Sequence, residues 1–256
     1  ISFAFLFRKN LRDAYSFLGS HSGKFDEISG MIKLTLPLVL QINSGAFSSV
    51  GLAIMAGHLG KESVVLKNIV DAYQRFLPLL GASAVNQAVA TEMSYQHAST
   101  LPVRQGRIDA NPDNVANNSQ NNRKTLLAGG LISLTYSLIV YAIYLALYDK
   151  LALLFIKKSD HVANDFHHRL FNLFAISAGA QLVNGLRELA NGALNGQRVI
   201  AFPVKTALGL NFVFTLLLAY PLAFSANWGV NGLEAASLAS FFFSFTLLSG
   251  KLYRHS

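Results

Sequence analysis

The chain has 256 residues, 52% of them hydrophobic and 13% charged, against roughly 25% charged in ordinary soluble domains. Its apolar residues come in blocks rather than in one stripe per helix, which excludes a soluble bundle with polar outer faces. The net charge of +8 does not signal nucleic acid, because Lys and Arg cluster at the ends of apolar blocks and no basic stripe with interleaved aromatics is present. The lack of cysteine excludes a disulfide framework and thiolate metal sites.

Ile1–Phe7 is wholly apolar or small and runs into Arg8, Lys9 and Arg12, as a span does when it leaves a membrane into a basic cytoplasmic loop. Residues 1–30 are therefore expected to be the end of a preceding helix and a cytoplasmic linker, and 31–256 a six-helix transmembrane bundle. The spans are placed at Met31–Gly57, Val65–Tyr95, Thr125–Tyr148, Arg169–Leu194, Ala201–Phe224 and Asn231–Gly250. Each meets the ~20 helical residues that cross a hydrocarbon core. Backbone groups in lipid must be satisfied within the segment, so blocks of this length are helices; barrel strands would be shorter and would alternate. The expected fold is an all-α membrane protein.

The connections set the orientation. Arg8, Lys9, Arg12, Lys24, Arg104, Arg107, Arg123, Lys124, Arg198, Lys251 and Arg254 lie on one side, and Lys61, Lys150, Lys157 and Lys158 on the other. Both termini are therefore expected to be cytoplasmic, in an inner (plasma) membrane. The Asn-rich stretch Gln96–Lys124 is expected to be a mobile cytoplasmic loop, so the sequon-like Asn117-Asn118-Ser119 is a coincidence of composition.

Ionisable residues inside spans must face protein or water. Asp71 and Arg75, four apart, suit a helical ion pair, and Glu92 suits the interface. Arg187 and Glu188 lie deeper; neighbours on a helix point about 100° apart, so these two are expected to need other partners or a water-filled cavity. Gln41, Asn43, Ser44, Asn86, Gln87, Asn184 and Asn211 are polar positions on four spans, and either line one cavity with Glu188 or tie helices together. The stripe Tyr136, Tyr141, Tyr144 and Tyr148 reads as packing or an interface belt. His161, Asp165, His167 and His168 have the spacing of a metal site, but Ser159, Asp160 and Asp165 equally cap a helix and complement its dipole.

Several motifs, in order, resemble the multidrug and toxic compound extrusion (MATE) family of cation-coupled transporters. Lys33-Leu34-Thr35-Leu36-Pro37-Leu38 is similar to its K-x-x-x-P opening, and Met55-Ala56-Gly57-His58-Leu59-Gly60 to its M-x-G-H-L-G turn. Gly192-Ala193-Leu194-Asn195-Gly196 resembles its G-A-L-R-G, with Asn195 in place of Arg. Leu218-Ala219-Tyr220-Pro221-Leu222 and Trp228-Gly229-Val230-Asn231-Gly232 resemble its G-L-P-L and W-G-V-x-G segments. The resemblance implies one bundle of a two-bundle transporter, the C-terminal one fitting best, whose partners are the other bundle, the lipid bilayer and small organic cations. It implies Na+ or H+ as coupling ion, no further cofactor and no enzymatic role. At the family's acidic positions this chain has Leu52, Gly45 and Asn184; a neutral amide offers sodium a carbonyl oxygen but takes up no proton near neutral pH. A lipid-linked-precursor flippase of the same superfamily and a membrane-embedded metal-dependent hydrolase are the alternative functions.

Overall fold

The computed structural model describes residues 25–100, 112–152 and 164–255. The stub and most of the linker expected before the bundle lie outside them. Packing divides the chain into Ile1–Val39 and Leu40–Ser256. The first unit contains the opening turns of α1, where Ile32, Leu36 and Val39 are exposed. The second contains the rest of α1 and all the later helices.

Among the described residues there are helices and no strands. They are α1 (Phe25–His58), α2 (Lys61–Thr100), α3 (Pro112–Ala152), α4 (Asn164–Gly196), α5 (Ala201–Ser225) and α6 (Val230–His255). A helix lies over each expected span, but the loop expected over Gln96–Lys124 is largely helix where it is described: α2 continues to Thr100 and α3 begins at Pro112. Once a span has nucleated a helix, each added residue gains a backbone bond for little extra entropy. Pro112 is also suited to a first helical position, where its missing N–H is no loss.

Short turns join α1 to α2, α4 to α5 and α5 to α6. Between α1 and α2, Leu59 N–H bonds to Met55 O and Ala56 O, and Gly60 takes φ +110°, open to glycine but strained for other residues. The α5–α6 turn uses Asn227 and Gly229 at φ +57° and +55°.

α1, α3, α5 and α6 carry stretches long and apolar enough to cross a membrane. α2 and α4 are longer than a membrane is thick but more polar, and they are central: α4 packs against α2, α3 and α6. Lys67, Gln74, Asn86, Ser177 and Glu188 on these two helices face neighbouring helices, while Leu127, Leu131 and Leu138 of α3, Leu217 of α5 and Leu247 of α6 face outward. The chain thus has the apolar exterior of an integral membrane protein.

Glycines on α4 set the α2–α4 crossing. A Cβ at Gly192 would sit 2.5 Å from the carbonyl oxygen of Asn86, and one at Gly196 2.5 Å from that of Ala90. The four-residue spacing forms a small-x-x-x-small seam that brings two backbones together, with Val89, Met93, Leu189, Ala193 and Leu194 packed around it. Because the obstructing atoms are backbone, neither can swing aside. Gly192→Ala and Gly196→Ala are each expected to cost about 1–3 kcal/mol, read as a lower thermal midpoint in detergent. A midpoint unchanged in both variants would show that the helices do not approach this closely.

Candidate functional site

The most buried charges lie near the α1–α2 and α5–α6 turns. Lys67, Asp71 and Gln74 follow steps of four and three along α2, which place them on one helical face. α6 brings Glu234 to that face one turn after its start at Val230, and α4 brings Ser177. Lys67 is 3% exposed and Glu234 1%. Lys67 Nζ pairs with Asp71 Oδ1 and lies 2.6 Å from Glu234 Oε1. Gln74 Nε2 donates to Glu234 Oε2 at 3.1 Å and to Ser177 Oγ. Leu66, Ile69, Leu170 and Leu173 pack beside the group, so water does little to screen it.

A cavity of about 20 Å³ adjoins this cluster, lined by Tyr73, Gln74, Tyr141, Phe174, Ser177 and Gln181 among others. That is room for about one water molecule.

A second ionic group sits further along α4. Glu188 Oε2 accepts a hydrogen bond from Asn86 Nδ2 at 2.6 Å, and its Oε1 pairs with Arg187. The guanidinium also lies 4.8 Å from the centre of the Phe241 ring on α6, within cation–π range. The expectation that adjacent residues diverge is therefore corrected: their long side chains bend back to meet, although each also has a partner on another helix.

The third polar group surrounds Asn211. α5 is wound as π-helix over Ala207–Phe214 and again over Pro221–Ser225. Hydroxyls satisfy carbonyls in and beside the wider turns: Ser240 Oγ and Thr215 Oγ1 donate to Leu210 O at 2.7 and 3.1 Å, and Ser48 Oγ to Asn211 O. Ser244 Oγ donates to Asn211 Oδ1 at 2.7 Å. Irregular helix is tolerated at membrane depth when neighbouring helices supply such partners.

The eight predicted site residues thus divide among several environments. Asn86 and Glu188 meet directly, Asn211 joins Ser48 and Ser244, and Ser44 Oγ donates to Gln41 O at 2.7 Å. Asn184 is buried and donates to Gln181 Oε1 at 3.3 Å, while Asn43 and Gln87 are exposed. The partner described for Asp71 is Lys67; the side chain of Arg75 lies outside the described residues, as do those of His161, Asp165, His167, Tyr144 and Tyr148. His168 and Glu92 are exposed, Tyr141 lines the small cavity, and the Tyr136 ring covers Gly81. Among the described residues no three His, Asp or Glu side chains gather as metal ligands.

Sequence reasoning passed over Lys67 and Glu234, although both fall inside expected spans. Each lies within a few residues of a span's start, where charges ordinarily mark topology. The usable signal was the Lys67–Asp71 spacing, acid one turn after base.

No protein-family profile matches this chain, and no curated protein does. Its fold does match solved structures. One is a multidrug resistance MATE family transporter of the MOP superfamily in an outward-facing conformation, with TM-score 0.60 and 15% identity. Another is a MOP superfamily transporter from Pyrococcus furiosus, described as having a binding pocket of reversed polarity that suggests a different function, with TM-score 0.59 and 15% identity. Each match covers 87% of this chain and 44% of the other. The chain therefore has the fold of these transporters and spans less than half their length.

Removing one member of a buried pair strands the other charge. Lys67→Met is expected to cost about 3–5 kcal/mol, whereas Lys67→Met combined with Glu234→Leu recovers part of the loss, Asp71 still lacking its lysine. Chemical unfolding of the two variants in detergent tests this; equal destabilisation would show that the pair is not coupled.

Proposed function

We propose, from a chain with the fold of less than half of a MATE-type transporter, that it is one six-helix half of a cation-coupled exporter. Together with a second bundle it moves small organic cations across the inner membrane by alternating access, driven by Na+ or H+. Both termini are cytoplasmic in this reading, on the positive-inside charge distribution. The observation that carries it is the fold match over 87% of the chain.

The interior charges favour cationic cargo. A flippase for lipid-linked pyrophosphate needs a strongly basic chamber. Here Lys67 is matched by Glu234 and Asp71, and Arg187 by Glu188. Glu188, steadied by Asn86, is the half-buried carboxylate that an organic cation would meet, and amides such as Asn184 and Gln87 provide further polar contacts. These side chains suit binding and release, and no catalytic step is assigned.

Vesicles containing the chain with its completing bundle are expected to expel ethidium when a sodium or proton gradient is imposed, and to stop when it is collapsed. Glu188→Gln is expected to weaken dye binding while leaving the fold intact, since an amide keeps one oxygen for Asn86. Dye movement indifferent to both gradients, or binding of a polyprenyl pyrophosphate in place of dye, would overturn the reading.

A further inference from the structure

We infer that the outward crevice between α5 and α6 holds one anionic phospholipid, its phosphate lying among Arg198, Lys205, Lys251 and Arg254. Such a site requires only that the chain crosses a membrane, and so is independent of any role in export.

Three elements bring the cations to one end of the bundle. Val199 in the α4–α5 turn and Phe202 at the start of α5 pack on the same apolar cluster as Leu248 and Leu252 of α6. Arg198 adjoins Val199, Lys205 lies a turn into α5, and Lys251 and Arg254 lie in the closing turns of α6. Lys251 links two of these elements directly, since its Nζ is 5.8 Å from the centre of the Phe202 ring, within cation–π reach. Arg198, Lys205 and Arg254 are exposed. Among the described residues no carboxylate pairs with any of the four. The one acidic side chain after Glu188 is Glu234, roughly 25 Å from Lys251 along α6 at 1.5 Å per residue. Unmatched cations at the end of a span attract anionic headgroups.

Deeper than the cations lies an apolar slot. α5 and α6 meet at two levels on this side, Lys251 on Phe202 and Phe243 edge-on to Phe214 with ring centres 5.6 Å apart. Between those levels Leu247 is 51% exposed, and a Cβ at Gly209 would meet nothing within 4 Å. Behind the slot, Ser240 and Ser244 bond to Leu210 O and Asn211 Oδ1 and hold the two helices together. Phe243, Leu247, Lys251 and Arg254 follow steps of four, four and three, which put them on one face of α6. Phe243 and Lys251 are eight residues apart, roughly 12 Å, most of the ~15 Å that one leaflet's hydrocarbon occupies. An acyl chain in the slot therefore reaches from the Phe214–Phe243 pair to the level of the cations.

Chemistry selects the occupant. A zwitterionic headgroup carries its own cation, which these side chains repel, whereas a phosphate diester with an uncharged head meets only attraction. A guanidinium takes a phosphate through two parallel N–H bonds, and an ammonium acts as a point charge, so the site can both orient and attract. A soluble phosphate would satisfy the cations but leave the slot without an occupant; a tail fills it.

The test uses the full chain, purified and immobilised in an uncharged detergent, and measures binding of radiolabelled dioleoylphosphatidylglycerol and dioleoylphosphatidylcholine. Phosphatidylglycerol is expected to bind about tenfold more tightly or better, and the preference to shrink as salt screens the cations. Lys205→Gln combined with Lys251→Gln is expected to weaken phosphatidylglycerol about 25-fold, each cation contributing near fivefold, and to leave phosphatidylcholine unchanged. Gly209→Leu removes no charge and has open space for its side chain, yet is expected to weaken the same lipid by filling the slot. Glycerol 3-phosphate, a headgroup with no tail, is expected not to compete. Equal binding of the two lipids, an undiminished preference in the double variant, or undiminished binding to Gly209→Leu would each overturn the site. Competition by glycerol 3-phosphate would overturn a lipid as its occupant. The wild-type comparison decides the matter even if a variant does not fold.

Discussion

Every buried polar group in this bundle must find its partner within the protein, because hydrocarbon offers none. That constraint explains which helices are central. α2 and α4 carry Lys67, Asp71, Gln74, Asn86, Ser177 and Glu188, and they occupy positions where other helices can answer them. α1, α3 and α5, with fewer polar demands, turn broad apolar surfaces outward, as Val50 and Ile54, Leu131 and Leu138, and Val213 and Leu217 show. α6 does both: Glu234 and Ser244 point inward, while Phe242 and Leu247 are exposed.

The charged groups and the glycine seam depend on one another. Gly192 and Gly196 let α2 and α4 approach closely, and that approach places Asn86 within reach of Glu188. A larger residue at the seam would separate the backbones and leave the carboxylate with Arg187 alone. Toward the other end, the same two helices and α6 meet through Lys67, Gln74, Ser177 and Glu234. The three helices are thus joined by polar contacts at two levels, with apolar packing around each.

Much of this architecture was legible in the sequence, since an apolar block long enough to cross a membrane has few alternatives to a helix. Helix ends were less legible: the polar flanks of α2 and α3 propagate as helix although their composition suggested a loop. The Gly192–Gly196 seam was visible as a spacing, yet its partner on α2 was not, because packing register is a property of two helices together. The π-helical turns of α5 were invisible for a similar reason. They are stabilised by Ser48, Ser240 and Ser244, which come from other helices and carry no local mark of that role. Lys67 and Glu234 were passed over because position near a span's end is ordinarily cheap for a charge, and only tertiary packing made these two dry.

Position along a span also governs how firmly a charge holds its helices together. A charge deep in a span must be paired at all times, so it stabilises one arrangement of helices and resists others. A charge near the end of a span is different, because a small separation of α2 from α6 would admit water and remove the need for a partner. Lys67 and Glu234 occupy that position: dry in the present arrangement, and roughly 6 Å along α6 from its first residue in the case of Glu234, at 1.5 Å per residue. The free energy of the pair therefore depends steeply on the distance between two helix ends.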